Sequence, residues 1–361
     1  MSNAKISSPS QPLPRDDLLS TFSPQGINLE TFHRLLSCYE ATVSQVHRRK
    51  ALLKLQPKKG PKGKSATSSI PKTDLTASEE TQVREQTDKF LQLDRWRYDS
   101  LPKAVLERKT NQFTGSEGAL LLKEELVSIM DWKMKHGVFR PALMGMIKGN
   151  PDKTVTQATS AAFASLPDAD PSAPLAAFPK SSLDALTAPL RGVGPATASL
   201  ILSIGTGLGD SQSQVPFYSD DVYLWLVLND LPESADQEDK PSVHKKPSGE
   251  LIAKYNVNEY RELWNAVQEL RARLNAEAGD FPPVSLFDIE KVAYVIRHVA
   301  VSGFAAGQPE TQPKESSERQ LPADKSQDTY SSTKRKPKAE IGEAETGEKP
   351  APRRESKRLK K

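Results

Sequence analysis

One cysteine stands among 361 residues, Cys38, and a lone thiol closes no internal disulfide. A single thiol also excludes a cysteine-ligated metal cluster and the disulfide scaffolds of oxidising compartments. Aromatic residues are scarce at 6%, and hydrophobic residues reach only 36%, below the usual ~45–50% even allowing for glycine being counted there. No run of eighteen apolar residues occurs: the best stretch, VAYVIRHVAV, is cut by Arg297 and His298, so no membrane span is expected. The first fifteen residues, MSNAKISSPSQPLPR, hold no apolar run of the kind a secretory leader needs. These absences point to a soluble intracellular protein, with neither metal nor organic cofactor expected. Period-two alternation is missing as well, which argues against a sheet.

What is abundant is proline, 28 residues, about 8% against a usual ~5%. It collects with Ser, Lys and Glu in residues 56–78, 165–180, 232–250 and 304–361. Such segments bury too little apolar surface to offset chain entropy, so they read as disordered insertions and a disordered tail. An N-terminal arm, 1–15, belongs with them. Between these lies one body, 16–303, with enough remaining chain for a single core.

The body reads as helix throughout. Phe32, Leu35, Leu36, Tyr39, Val43 and Val46 repeat with the three-and-four spacing of one helical face, as do Tyr260, Leu263, Trp264, Val267, Leu270 and Leu274. Ser285 with Asp288 forms a capping box before Ile289, Val292, Ile296 and Val299. A helix over 120–136 is expected to close at Gly137. The expected fold class is all-α, with about ten helices.

The sharpest local signal is LRGVGPATASLILS, residues 190–203. A short helix opened by a Ser181–Asp184 capping box carries Leu183, Leu186 and Leu190. Gly192 and Gly194 can both take positive φ, letting the chain reverse. Pro195 suits the first position of a new helix, and Val193 at the tip is placed to fill the gap. Backbone N–H groups bared at such a turn, beside a helix N-terminus, bind phosphate without side-chain chemistry. Gly192, Val193, Gly194, Ala196 and Thr197 are therefore candidate contacts to a DNA backbone. A glycine-rich turn with no ligand is the alternative.

The stretch from Leu183 to Ala198, with Gly-Val-Gly-x-x-Thr-Ala at its centre, resembles the helix–hairpin–helix of the DNA glycosylase superfamily that includes endonuclease III and the alkyladenine glycosylases. The likeness extends over roughly 181–231. It implies an all-α fold, double-stranded DNA as partner, and a carboxylate in the pattern Asp-x-x-aliphatic-aromatic after the hairpin. Asp221, followed by Leu224 and Trp225, fits that pattern in VPFYSDDVYLWLVL, with Asp220 one residue out of register. In the family this carboxylate stabilises the oxocarbenium-like sugar or activates water. Read without the family, Ser219, Asp220 and Asp221 are also good helix caps. Tyr218, Tyr223 and Trp225 are pocket or packing candidates. Two departures matter. Ala196 stands where the bifunctional enzymes carry a Schiff-base lysine, so lyase chemistry by that route is absent. The segment between hairpin and aspartate is also several residues longer than usual.

A second cluster, DWKMKHGVFRP, interleaves Lys133, Lys135, His136 and Arg140 with Trp132 and Phe139. Cations with aromatics suit nucleic acid, although the same residues can fill a core and favour a helix C-terminus. The tail carries eleven Lys/Arg against five Glu over 334–361, a surplus of six, so the rest of the +4 chain sums to −2. Its two clusters, Lys334–Lys338 and Arg353–Lys361, resemble nuclear localisation signals read by an import receptor. The expected residence is the nucleus, and chromatin or repair proteins are expected partners. Two functions follow: a non-catalytic DNA-binding module, which the missing lysine and the insertion favour, or a monofunctional DNA glycosylase working through Asp221. A base-sized cleft between the turn and Asp221 would discriminate them.

Overall fold

The computed structural model describes residues 21–55, 74–113, 119–168, 177–209, 213–232, 242–246, 248–277 and 279–304. All of them fall in one compact unit, Met1–Thr311. The expected N-terminal arm, the nuclear-signal clusters and at least half of each expected linker lie outside the described residues.

The fold is all-α, with no strand among the described residues and one isolated antiparallel bridge, Lys245 to Leu251. In chain order the helices are α1 (Leu29–Ser37), α2 (Tyr39–Leu55), α3 (Ala77–Arg95), α4 (Leu101–Phe113), α5 (Lys123–His136), α6 (Pro141–Lys148), α7 (Asp152–Ala164), α8 (Lys180–Thr187), α9 (Pro195–Thr206), α10 (Asp220–Leu226), α11 (Val257–Ala276) and α12 (Leu286–Arg297). No described helix is long and apolar enough to cross a membrane.

Local chemistry explains most boundaries. The expected face from Phe32 to Val46 is divided into α1 and α2 at Cys38, yet its apolar positions stay buried except half-buried Leu36. Reciprocal capping boxes open α3 (Thr76, Glu79), α11 (Asn256, Glu259) and, as the spacing predicts, α12 (Ser285, Asp288). Thr76 and Ala77 belong to what composition assigns to a linker. A π-helical turn, Trp96–Ser100, joins α3 to α4. Pro102 explains it, because proline brings no N–H to the carbonyl four residues earlier.

Helix α9 is buried nearly all round, from Ala196 through Ile204, as its continuous apolar sequence requires. The chain after it is tied back onto it. Thr206 Oγ1 accepts from Val215 N at 2.9 Å, and Ser199 Oγ accepts from Tyr218 N at 2.9 Å. Tyr260 of α11 adds a hydrogen bond to the Pro216 carbonyl at 2.7 Å. These bonds set where α10 begins, despite the long insertion before it.

A buried polar network orients α5. Arg97 of the π-turn is fully buried and pairs with Glu290 of α12 at 2.7 Å, where Tyr98 Oη also donates at 2.9 Å. Trp132 Nε1 donates to Asp94 at 2.8 Å, and Tyr39 Oη donates to the same carboxylate. The Arg97 guanidinium lies over the rings of Tyr98, Trp132 and Phe287 at 4.0–4.8 Å. With Trp132 locked, the following residue Lys133, about 100° further round the helix, is turned towards Thr197 of α9.

Candidate functional site

The segment between α8 and α9 makes a tight turn through residues 188–194. Gly192 has φ +78°, and a Cβ there would stand 2.9 Å from Met146 Cβ, so any side chain would be strained and would force its neighbour to shift. Gly194 differs from expectation. Its φ of −103° is open to any residue; it caps α9, its carbonyl accepts from Thr197 N and Ala198 N, and its Cβ position is empty space. Pro195 opens α9 as expected, and Val193 is buried beneath the turn. The expected Ser181–Asp184 capping box does not form. Helix α8 begins two residues earlier, capped by Pro179 rather than Ser181, and Asp184 accepts from Lys180 Nζ instead. Gly137 does close α5, but with φ −96° rather than in the left-handed region.

An unforeseen residue holds the turn. Asn150, 1% exposed, accepts from Arg191 N at 2.8 Å and donates to the carbonyls of Arg191, Met146 and Ile147 at 3.0–3.2 Å. Its signal in the sequence was only a Gly-Asn-Pro break, which says nothing about a partner forty residues away.

Beside the turn a cavity of about 390 Å³ opens, within the range of small-molecule sites. Gly192, Gly194, Ala196 and Thr197 line one side, and Tyr218, Ser219, Asp220 and Asp221 another. Lys133, His136 and Arg140 complete it from α5 and the start of α6. Lys135 does not line it; exposed, it pairs with Asp131 at 2.7 Å. Tyr223 and Trp225 are packing residues, the latter donating Nε1 to the Phe22 carbonyl at 2.7 Å.

Capping and carboxylate chemistry divide cleanly at α10. Ser219 Oγ caps the helix by accepting from Val222 N at 3.1 Å, so neither aspartate side chain is spent on the cap. Asp220 accepts from Tyr255 Oη at 2.9 Å. Burial, then the neighbouring Asp221, raises its carboxyl above the ordinary range; the Tyr255 bond and Lys133 pull the other way. Tyr255 is itself held at φ +52°, a strained value for a tyrosine. Arg140 lies over its ring at 5.2 Å and pairs with Glu250 at 3.4 Å.

Two amines face the same space. Lys133 Nζ donates to Thr197 Oγ1 at 3.0 Å and sits 5.4 Å from the centre of the Phe217 ring. Among the described residues no carboxylate approaches it to ion-pair distance. The residue as a whole is half-buried, but withdrawal of its amine from water lowers its pKa to about 7, against the pull of Asp220. Lys50 of α2 donates to the carbonyls of Lys135 and His136 at 2.9 and 3.1 Å, completing the C-terminus of α5. Burial brings it to about 8. His136 stacks on Trp132 at 4.6 Å, and burial holds its pKa well below the ordinary value.

Sequence reasoning missed Lys50, Asn150, Lys245 and Tyr255. Lys245 and Gly249, which line the cavity, and Glu250 lie in a stretch composition assigns to a linker. No group of three or more His, Cys, Asp or Glu suited to a metal occurs among the described residues. Comparison with protein-family models, with curated proteins and with solved structures found no match to this chain.

Proposed function

We propose that this is a nuclear DNA-binding protein of the helix–hairpin–helix glycosylase type, and that it hydrolyses the N-glycosidic bond of a damaged base. The observation that carries the reading is the cavity itself, opening between the Gly192–Gly194 turn and the Asp220–Asp221 pair. A base flipped from the stack needs a pocket walled by rings and cations beside a carboxylate. Trp132, Phe217, Tyr218 and Tyr255 supply the rings; Lys50, Lys133, Arg140 and Lys245 supply the cations. Exposed Gly194, with no side chain, lets a phosphate approach the start of α9. Asp221 makes no side-chain bond to a described residue, so its charge is available to the sugar cation that forms as the base departs.

The test is a screen of duplexes, each carrying one damaged base, with alkali cleaving any abasic site produced. Wild-type protein should release at least one base, and Asp221→Asn should lose that release 100-fold or more while still binding DNA. Binding without release from any lesion would leave a non-catalytic module. The nuclear part of the proposal rests on Lys334–Lys338 and Arg353–Lys361, the clusters an import receptor would read. A fluorescent fusion lacking residues 331–361 should lose nuclear enrichment; full retention would remove the tail from the account.

A further inference from the structure

We propose that Lys133 is an amine nucleophile for aldehydic sugar, giving the protein a strand-cleaving activity at abasic sites through an amine that α5 delivers to the face of α9. The inference rests on the DNA reading above. Helix α9 presents Ala196 and Thr197 to the cavity and offers no amine of its own. Lys133 comes in from α5 and is anchored on Thr197 Oγ1 at 3.0 Å, with Ala196 leaving the space a longer side chain would fill. Its position is not accidental: Trp132, the next residue, is locked by Asp94 and by the Arg97 guanidinium.

A buried ammonium without a carboxylate partner is costly, and the neutral amine is the form such a site prefers. A desolvated lysine amine is the form that attacks carbonyls. The pKa near 7 means the neutral form is well populated at cellular pH. Beside it on the cavity wall is Asp220, a carboxyl held by Tyr255 at 2.9 Å and suited to accept a proton.

The chemistry closes with these groups and water alone. The Lys133 Nζ lone pair adds to C1′ of the ring-opened sugar aldehyde; the adduct takes one proton from solvent, loss of water leaves an iminium, and that proton is released again when the iminium is hydrolysed. Asp220 takes a proton from C2′; that C–H electron pair forms the C2′=C3′ double bond and expels the 3′ phosphate oxygen. The phosphate departs as the 5′ end of the downstream strand. Water then hydrolyses the iminium, freeing Lys133 and leaving an unsaturated aldehyde on the upstream strand, while Asp220 returns its proton to solvent.

The experiment uses the full chain and a duplex with one preformed abasic site, so it needs no base release and is scored independently of the lesion screen. Sodium borohydride reduces an iminium to a stable amine, which joins protein to DNA. Wild type should give this adduct, and mass spectrometry should place it on the peptide carrying Lys133. Lys133→Met should lower trapping and scission at least tenfold with its circular dichroism unchanged. Thr197→Val, which removes the anchor, should lower trapping several-fold beyond any change in duplex affinity measured on the same protein. An adduct that maps to Lys50, Lys245 or the tail lysines would overturn the proposal. So would a wild-type protein that traps nothing. The mapping stands even if Lys133→Met fails to fold. Base release without trapping would keep the glycosylase reading and end this one; trapping without base release would do the reverse.

Discussion

Two adjacent residues of α5, Trp132 and Lys133, border regions that handle buried charge in opposite ways. On the Trp132 side, Arg97 meets Glu290 at 2.7 Å, Tyr98 and three aromatic faces, while Asp94 takes bonds from Trp132 and Tyr39. On the Lys133 side, an amine has one hydroxyl partner and a carboxyl has one phenol. The first arrangement gives Arg97 a carboxylate and aromatic faces, although its Nε and Nη1 have no hydrogen-bond acceptor, and it holds helices together; the second leaves an amine without a carboxylate, next to open space. Burial is common to both, and it is a carboxylate at ion-pair distance from the cation that separates structure from chemistry.

Removing one partner on each side is the strongest way to break the comparison. Glu290→Ala strands a fully buried guanidinium and should cost about 3–5 kcal/mol, read by urea denaturation. Lys133→Met should instead raise the melting temperature at pH 7. The sign follows from the folded-state value near 7 against an ordinary value of 10.5. Between those values the unfolded chain holds a proton that the folded one gives up, so stability falls as pH drops through that window and methionine escapes the loss. Equal destabilisation by both changes would mean that Lys133 is a structural charge like Arg97.

The two glycines of the turn sharpen the same contrast between packing and access. Gly192→Ala meets Met146 at 2.9 Å with φ +78°, and should cost about 1–3 kcal/mol. Gly194→Val meets nothing within 4 Å and should fold normally, yet weaken duplex binding severalfold, because its branched side chain stands in the way of a phosphate. A double substitution would confuse the two effects. Unchanged affinity in Gly194→Val would make the turn a purely structural feature.

A further effect is expected from acid. Burial, with Lys50 nearby, holds His47 at about 2 and His298 at about 3. Both stay neutral in the folded protein while the unfolded chain takes up protons below about 6.5. Their contribution is complete above that pH and is lost progressively as pH falls towards 3. Melting temperature should therefore decline from pH 7 to 4, and His47→Phe, which keeps a ring stacked on Phe90, should flatten that decline.

Apolar spacing alone determined that this chain is helical, where α11 and α12 lie, and which of their faces are buried, because a 3.6-residue period is a local property. The Gly-Val-Gly-Pro break likewise located the turn, and Asp220 and Asp221 were visible as carboxylates at a helix start. Local rules failed where a competing partner was distant. Ser181 gave way as a cap, Gly194 needed no positive φ, and the stretch around Lys245 and Glu250 packs at the cavity although its composition reads as linker. Only the tertiary structure brought Lys133 to Thr197 and Tyr255 to Asp220, across 64 and 35 residues of chain. The reason is physical: a pKa and a hydrogen-bond partner depend on what surrounds a group in space. Neither the identity of Lys133 nor its neighbours in sequence record that it faces α9.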